Sequence, residues 1–95
     1  MGASKMKAEY KIPGGKLLSC EIGIEDEVIK TIKISGDFFM HPEDAINELE
    51  VTLLGTSIQS YQDRILKFFQ KREITLYGVS QQDFITVIQI AIDSE

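Results

Sequence analysis

Apolar and polar residues alternate along the first third of the chain. The alternation runs over residues 6–12, is repeated over 18–24, and returns over 28–35. A period of two residues is typical of half-buried strands. Between these segments lie Pro13-Gly14-Gly15, which has the residues of a chain reversal, and the polar stretch 25–27. The pattern predicts three antiparallel strands whose apolar side chains share one face.

The rest of the chain changes to helical spacing. Three apolar stripes recur three and four residues apart: Ile46, Leu49 and Leu53; Tyr61, Ile65, Phe68 and Phe69; and Phe84, Val87, Ile88, Ala91 and Ile92. Pro42 suits the first turn of the first helix. Ser60 with Asp63, and Ser80 with Asp83, resemble capping boxes with a shortened acid. Residues 74–79 alternate weakly, and the pattern leaves open a short strand or an extended connection.

This order of elements predicts an α+β fold, with a three-stranded antiparallel sheet covered on one face by about three helices. With 95 residues, 43% of them hydrophobic, we expect a single domain over 1–95. Residues 6–36 form the β-meander in this prediction, residues 42–95 are mainly helical, and residues 1–5 are a flexible end.

The charge of the chain restricts its partners. Ten basic and fifteen acidic residues give a net charge of −5, so neither nucleic acid nor an anionic membrane is an expected partner. Six of the eight lysines nevertheless lie between Lys5 and Lys33. No apolar run approaches the roughly 20 residues of a membrane span, and the amino terminus has no apolar run of signal-peptide length. We therefore expect a cytoplasmic protein.

Two side chains could carry chemistry, and for both a structural role is favoured. Cys20 shares its strand parity with apolar residues, so a packed thiol is favoured over a sulfur-transfer site. His41 lies between Asp37 and the acids Glu43 and Asp44, and these residue types could together bind a metal ion. The favoured role is structural, since His41 also ends the loop before Pro42. The sequence thus predicts neither a metal site nor a catalytic residue.

Two further motifs favour contact with a partner. Gly14 and Gly15 are explained by a hairpin turn better than by a phosphate site, and Lys11 and Lys16 flank that turn as reaching groups. Phe38 and Phe39 are adjacent aromatic residues in a strand-to-helix loop. Two such rings do not easily face one core, so one is expected to cap the core while the other meets a partner.

Three segments together resemble a known family. They are Lys11-Ile12-Pro13-Gly14-Gly15-Lys16-Leu17; Ile34-Ser35-Gly36-Asp37-Phe38-Phe39 followed by His41-Pro42; and Gly78-Val79-Ser80 with Asp83-Phe84. In this order and spacing, from about Lys11 to Ile92, they resemble the small C-terminal accessory domain of lipoate–protein ligase. In bipartite versions of that enzyme the small domain is a separate polypeptide.

The resemblance implies a non-catalytic accessory subunit. Together with a large catalytic subunit, in a heterodimer, it would be needed for ATP-dependent, AMP-forming lipoyl-adenylate synthesis and for lipoylation of lysines on acceptor domains, which it would meet indirectly. ATP, Mg²⁺ and lipoate would bind the partner and none of them this chain alone, which we expect to be inactive by itself. The large domain's Arg-Arg-x-x-Gly-Gly element is absent, so no catalytic residue is carried over. The candidate contact residues are Lys11, Gly14, Gly15, Lys16, Asp37, Phe38, Phe39 and His41.

Two other functions stay open at this point. The family's small domain is similar in fold to sulfur-acceptor and iron–sulfur scaffold proteins of the SufE and NifU type, and such a protein would use Cys20. A sulfur acceptor needs an exposed cysteine in a loop, whereas Cys20 is expected in mid-strand, facing inward. The second alternative is a plain protein-interaction module with no link to lipoate.

Overall fold

The computed structural model describes residues 4–94. Its larger sheet is antiparallel, with strand order β1-β2-β3, and a two-stranded ribbon pairs β4 with β5. The strands are β1 (Ser4–Lys11), β2 (Leu17–Glu25), β3 (Val28–Gly36), β4 (Phe39–His41) and β5 (Thr75–Tyr77); the helices are α1 (Ala45–Leu53), α2 (Tyr61–Lys71) and α3 (Gln81–Asp93). The predicted α+β fold, with a three-stranded sheet and three helices, is confirmed.

One face of the sheet carries the core. The even-numbered residues of β2 turn inward, and α3 packs across β1 and β2 while α1 packs against β3. The register of β2 and β3 shifts between Gly23 and Ile24. This bulge places Ile29 in the core with an exposed fraction of 0%, although the simple alternation of β3 marks only Ile32 and Ile34 as inward. Ile32 is half-buried.

The turn between β1 and β2 follows from two residues. Gly15 donates its amide to Ile12 O at 2.9 Å, and Gly14 between them has φ of 72°. Proline at the second position and glycine with positive φ at the third are the signature of a type II turn. The hairpin therefore reverses where the proline and glycines predict it.

The helix ends correct two predictions. Ser80 and Asp83 form the expected reciprocal capping box at the start of α3, but Ser60 makes no side-chain cap at α2. Asp63 lies instead 3.0 Å from Lys67, one turn along the helix. Pro42 precedes α1 rather than opening it, because the helix begins at Ala45, whose amide donates to Pro42 O.

The strand boundaries also differ from the prediction. Ser4 and Lys5, which the sequence places in the predicted flexible end, belong to β1 and pair with Ile24 and Gly23. The remainder of that predicted end, residues 1–3, lies outside the described residues. The connection expected over residues 36–41 contains β4, and the ambiguous stretch 74–79 contains its partner β5. None of the three helices is both long enough and apolar enough to cross a membrane within residues 4–94.

Candidate functional site

The three segments singled out in the sequence meet at one end of the molecule. Asp37 donates its amide to Leu17 O at 3.3 Å, which joins the loop after β3 to the β1–β2 hairpin. A Cβ atom on Gly78 would lie 3.7 Å from Asp37 O, so the chain after β5 touches the same loop. We call this region, residues 11–17, 36–41 and 75–78, the hairpin end.

Gly36 allows the close packing at this junction. A Cβ atom at this position would lie 2.6 Å from Leu17 O and 3.2 Å from the Cα atom of Leu18. Real Cβ atoms do not approach backbone oxygen so closely, and neither of these atoms can rotate away as a side chain would. Glycine is therefore required for the loop to lie against the hairpin.

The two adjacent phenylalanines of the hairpin end face opposite ways. Phe38 packs edge-on against Phe84, with ring centroids 5.5 Å apart at 82°, and Phe84 stacks on Phe69 at 6.0 Å. Phe39 is 77% exposed. One ring thus closes the core and the other projects into solvent, which is the division that an aromatic pair at this point predicts.

Tyr77 is a member of this surface that the sequence reasoning missed. It lies directly opposite Phe39 in the β4–β5 ribbon and is 61% exposed. Leu17, at the base of the hairpin, is also exposed. Tyr77 reaches this surface because β4 and β5 pair, although they lie far apart in the chain. No local sequence pattern shows that pairing.

A surface groove of about 580 Å³ runs beside the exposed rings. Its walls include Ile34, Phe38, Phe39, Met40, Ile46 and Tyr77. His41 and Glu43 also line it, and both are exposed. A groove with mostly apolar walls and a few polar groups is typical of surfaces that bind another molecule.

The remaining candidates surround the hairpin tip. Lys11, Lys16 and Asp37 are exposed. The two lysines flank the type II turn, where Ile12 donates its amide to Lys16 O at 2.9 Å. Within residues 4–94 no three His, Cys, Asp or Glu side chains are grouped to hold a metal ion. This end of the molecule thus presents two exposed lysines close to two exposed aromatic rings.

Cys20 lies away from this surface, in the core. Its exposed fraction is 0%. Burial, with a smaller contribution from the negative charges of Glu50 and Glu21, raises the pKa of its thiol to about 12. Attack on sulfur or metal requires the thiolate, so this cysteine is inert at neutral pH.

Comparison with known proteins agrees with this geometry. The family described as bacterial lipoate protein ligase C-terminus matches residues 3–88. The chain belongs to this family. The match spans the hairpin, the Gly36 loop and most of α3, so every element of the hairpin end lies within it.

Two relatives from Thermoplasma acidophilum support the assignment. A protein named lipoate-protein ligase A subunit 2 is 43% identical over 74 residues, which cover 78% of each chain. A chain in a solved structure of an archaeal lipoylation system, a bi-partite lipoate protein ligase and its E2 lipoyl domain, is 36% identical. It superposes with a TM-score of 0.75, covering 90% of this chain and 93% of that one. The resemblance expected from the three segments is thus confirmed. The sulfur-acceptor alternative is not favoured, and the contact residues stay a prediction.

Proposed function

We propose that this chain is the non-catalytic accessory subunit of a two-component lipoate–protein ligase. The observation that carries the proposal is the 43% identity to a protein named as the second subunit of such a ligase, over 78% of both chains. That relative is named as a subunit in its own right, and this chain aligns with most of its length. Its place of action is the cytoplasm, with the catalytic subunit as its partner.

The chemistry belongs to the partner in this proposal. Lipoate and ATP react to give lipoyl-adenylate and pyrophosphate, and a lysine amine of the acceptor domain then takes the lipoyl group and releases AMP. ATP, Mg²⁺ and lipoate bind the catalytic subunit. Adenylation needs a preorganised site that excludes water. The accessory subunit supplies a surface whose docking favours the ordered form of that site.

The hairpin end is the proposed contact surface. Phe39 and Tyr77 are large exposed aromatic residues side by side on a ribbon that the core anchors through Phe38. Aromatic side chains held in this way are typical anchors of protein interfaces. Lys11 and Lys16 add positive charge beside them, which would steer an acidic surface of the partner.

The test is adenylate formation by a ligase catalytic subunit that lacks its own C-terminal domain. The subunit is given ATP, Mg²⁺ and lipoate, with and without this chain, and release of pyrophosphate is measured. We expect rapid release only when both chains are present, and none from this chain alone. Equal rates with and without this chain, using a cognate catalytic subunit, would overturn the proposal.

A further inference from the structure

The two outer edges of the three-stranded sheet differ in how their backbone groups are satisfied. At the β3 edge, Ile29 donates its amide to Thr56 O at 2.9 Å and accepts at its carbonyl from the amide of Gly55 at 2.8 Å. Further along, the amide of Ile34 donates to Glu50 Oε2 at 2.7 Å. The chain between α1 and α2, together with a carboxylate on α1, therefore covers much of this edge.

Among the described residues, nothing covers the β1 edge in this way. Residues of an antiparallel strand alternate between those that bond to the neighbouring strand and those that point away. The bond from the Ile12 amide to Lys16 O shows that the even-numbered residues bond to β2. The outward N–H and C=O groups thus belong to the odd-numbered residues, Lys5, Lys7, Glu9 and Lys11. Among residues 4–94 no group hydrogen-bonds to the amides of these four.

The side chains along this edge are mostly basic. Lys5, Lys7 and Lys11 carry three positive charges against one negative charge on Glu9, all four are exposed, and none makes an ion pair with another described residue. Two copies of β1 placed edge to edge would bring together strands that each carry a net charge of +2. Lysines on an edge strand discourage such self-pairing. They favour a strand that carries acidic residues.

We propose that β1 accepts an extended, acidic segment of the catalytic subunit as an additional strand of the sheet. This inference rests on the proposed function and specifies how the partner is held. Strand addition provides affinity through backbone hydrogen bonds and selects its partner through side chains that face the added strand. The hairpin end would then fix the position of the partner, and β1 would extend the contact along the sheet.

Amide hydrogen exchange, measured residue by residue, tests the proposal on the unaltered protein. In the free chain the amides of Met6, Ala8 and Tyr10 should exchange slowly and those of Lys7 and Glu9 quickly. Addition of the catalytic subunit should slow Lys7 and Glu9 at least tenfold. Unchanged exchange at these two amides in a mixture that forms lipoyl-adenylate would overturn the strand addition and leave the proposed function standing. Slow exchange that depends only on the concentration of this chain would identify a second copy as the occupant, which contradicts the proposal.

Two variants at position 7 separate the contribution of the backbone amide to binding from that of the lysine charge. Lys7→Pro removes the outward amide, and proline is tolerated on an edge strand where the N–H faces solvent. Lys7→Thr removes the same charge and keeps the amide. We expect the proline variant to bind the catalytic subunit at least tenfold more weakly and the threonine variant less than threefold, with circular dichroism unchanged in both. Equal affinities of the two variants would exclude a backbone contact at this position. A wild-type chain that does not stimulate adenylation would instead contradict the proposed function.

Discussion

The hairpin end and the core behind it differ in what their aromatic residues do. Phe84 has an exposed fraction of 0% and packs between Phe38 and Phe69, whereas Phe39 is 77% exposed. The boundary between the two regions runs between Phe38 and Phe39, which are neighbours in the chain. Because successive residues of an extended segment point in opposite directions, one short segment places one ring against the core and the next in solvent.

The energetics of the two regions differ accordingly. A fully buried apolar side chain stabilises the fold by roughly 1.5 to 3 kcal/mol. This contribution alone explains why the core positions carry apolar side chains. Phe39 and Tyr77 bury too little of their surface for that explanation. Adjacent exposed aromatic residues on a small protein indicate a contact with another molecule. Substitutions in the two regions should therefore change different measurements.

The largest expected difference is between Phe84→Ala and Phe39→Ala. Truncation of a buried phenylalanine costs about 3 to 5 kcal/mol, so Phe84→Ala should lower the free energy of unfolding by about 4 kcal/mol. Phe39→Ala should change it by less than about 0.5 kcal/mol. It should weaken stimulation of adenylation about tenfold, because exposed aromatic anchors dominate interfaces. Urea unfolding and a titration of the catalytic subunit provide the two measurements.

The distinction between core and hairpin end would be wrong if Phe84→Ala and Phe39→Ala changed the free energy of unfolding and the stimulation of adenylation to the same extent. Tyr77→Ala is the matched check, since Tyr77 lies opposite Phe39 in the ribbon and shares its exposure. We expect it to follow Phe39→Ala in both measurements. Full stimulation by the Phe39 and Tyr77 variants would place the contact surface elsewhere on the chain.

Gly36→Ala should affect both regions, because Gly36 joins the loop to the hairpin. The added Cβ would lie 2.6 Å from Leu17 O, so one backbone segment has to move, and overpacking of this kind costs roughly 1 to 3 kcal/mol. We expect a lower free energy of unfolding together with weaker stimulation, since Phe39 follows the displaced loop. Gly55→Ala is the control, because Gly55 lies outside the hairpin end and nothing lies within 4 Å of its Cβ position. Its φ of 80° should still cost about 1 to 2 kcal/mol. Gly36→Ala should therefore reduce stimulation and Gly55→Ala should not.

Lys16→Glu should alter recognition with little change in stability. Lys16 is exposed beside the turn, and reversal of its charge should weaken stimulation about threefold to tenfold at low salt. The effect should shrink as ionic strength rises, because salt screens exposed charges. Lys30→Glu is the matched control, since Lys30 is exposed towards the other end of β3. Equal behaviour of the two variants would mean that net charge matters and the position of the lysine does not.

Much of the fold could be predicted from local patterns. The period of two places Leu18, Cys20 and Ile22 inward, as found. The turn at Pro13 and the cap at Ser80 also follow from residue chemistry that acts over two or three positions. Where such local rules act without competition, the sequence is sufficient to predict the local structure.

The rest depends on pairing between distant segments. Ile29 is buried because of a bulge in β3. Tyr77 joins the hairpin end because β5 pairs with β4 across α1 and α2. Ser60 has the residue pattern of a cap, yet Asp63 lies beside Lys67 instead. In the first two cases a contact between distant segments decides the outcome, and no window of neighbouring residues contains it. At Ser60 the competing partner is local, one helical turn beyond Asp63. The resemblance of three short segments, and not the patterns, provided the functional prediction.

The smallest effect concerns Cys20, which tests how completely the interior is closed. Its thiol has a pKa of about 12, so about one molecule in 10,000 carries the thiolate at pH 8. Alkylation of the native chain by iodoacetamide should therefore be slow and limited by unfolding. Rapid alkylation at pH 8 would show that the interior opens readily, and it would bring the sulfur-acceptor function back into consideration.

The same pKa makes stability depend on pH in the alkaline range. Because the folded state raises the pKa of the Cys20 thiol from 9.0 to about 12, the unfolded chain releases the proton first. Its contribution is complete below about pH 9 and is lost as pH rises towards 12. Burial also raises the pKa of Tyr61, whose hydroxyl donates to Gln89 Oε1 at 2.6 Å. The wild type therefore loses stability in the alkaline range for two reasons.

Cys20→Ala keeps the tyrosine and removes the thiol. Urea unfolding at pH 8, 9 and 10 should show a steeper loss for the wild type than for this variant. Parallel losses would assign the whole dependence to other groups and would mean that Cys20 is solvated in the folded protein, which contradicts the division between a closed interior and an exposed hairpin end.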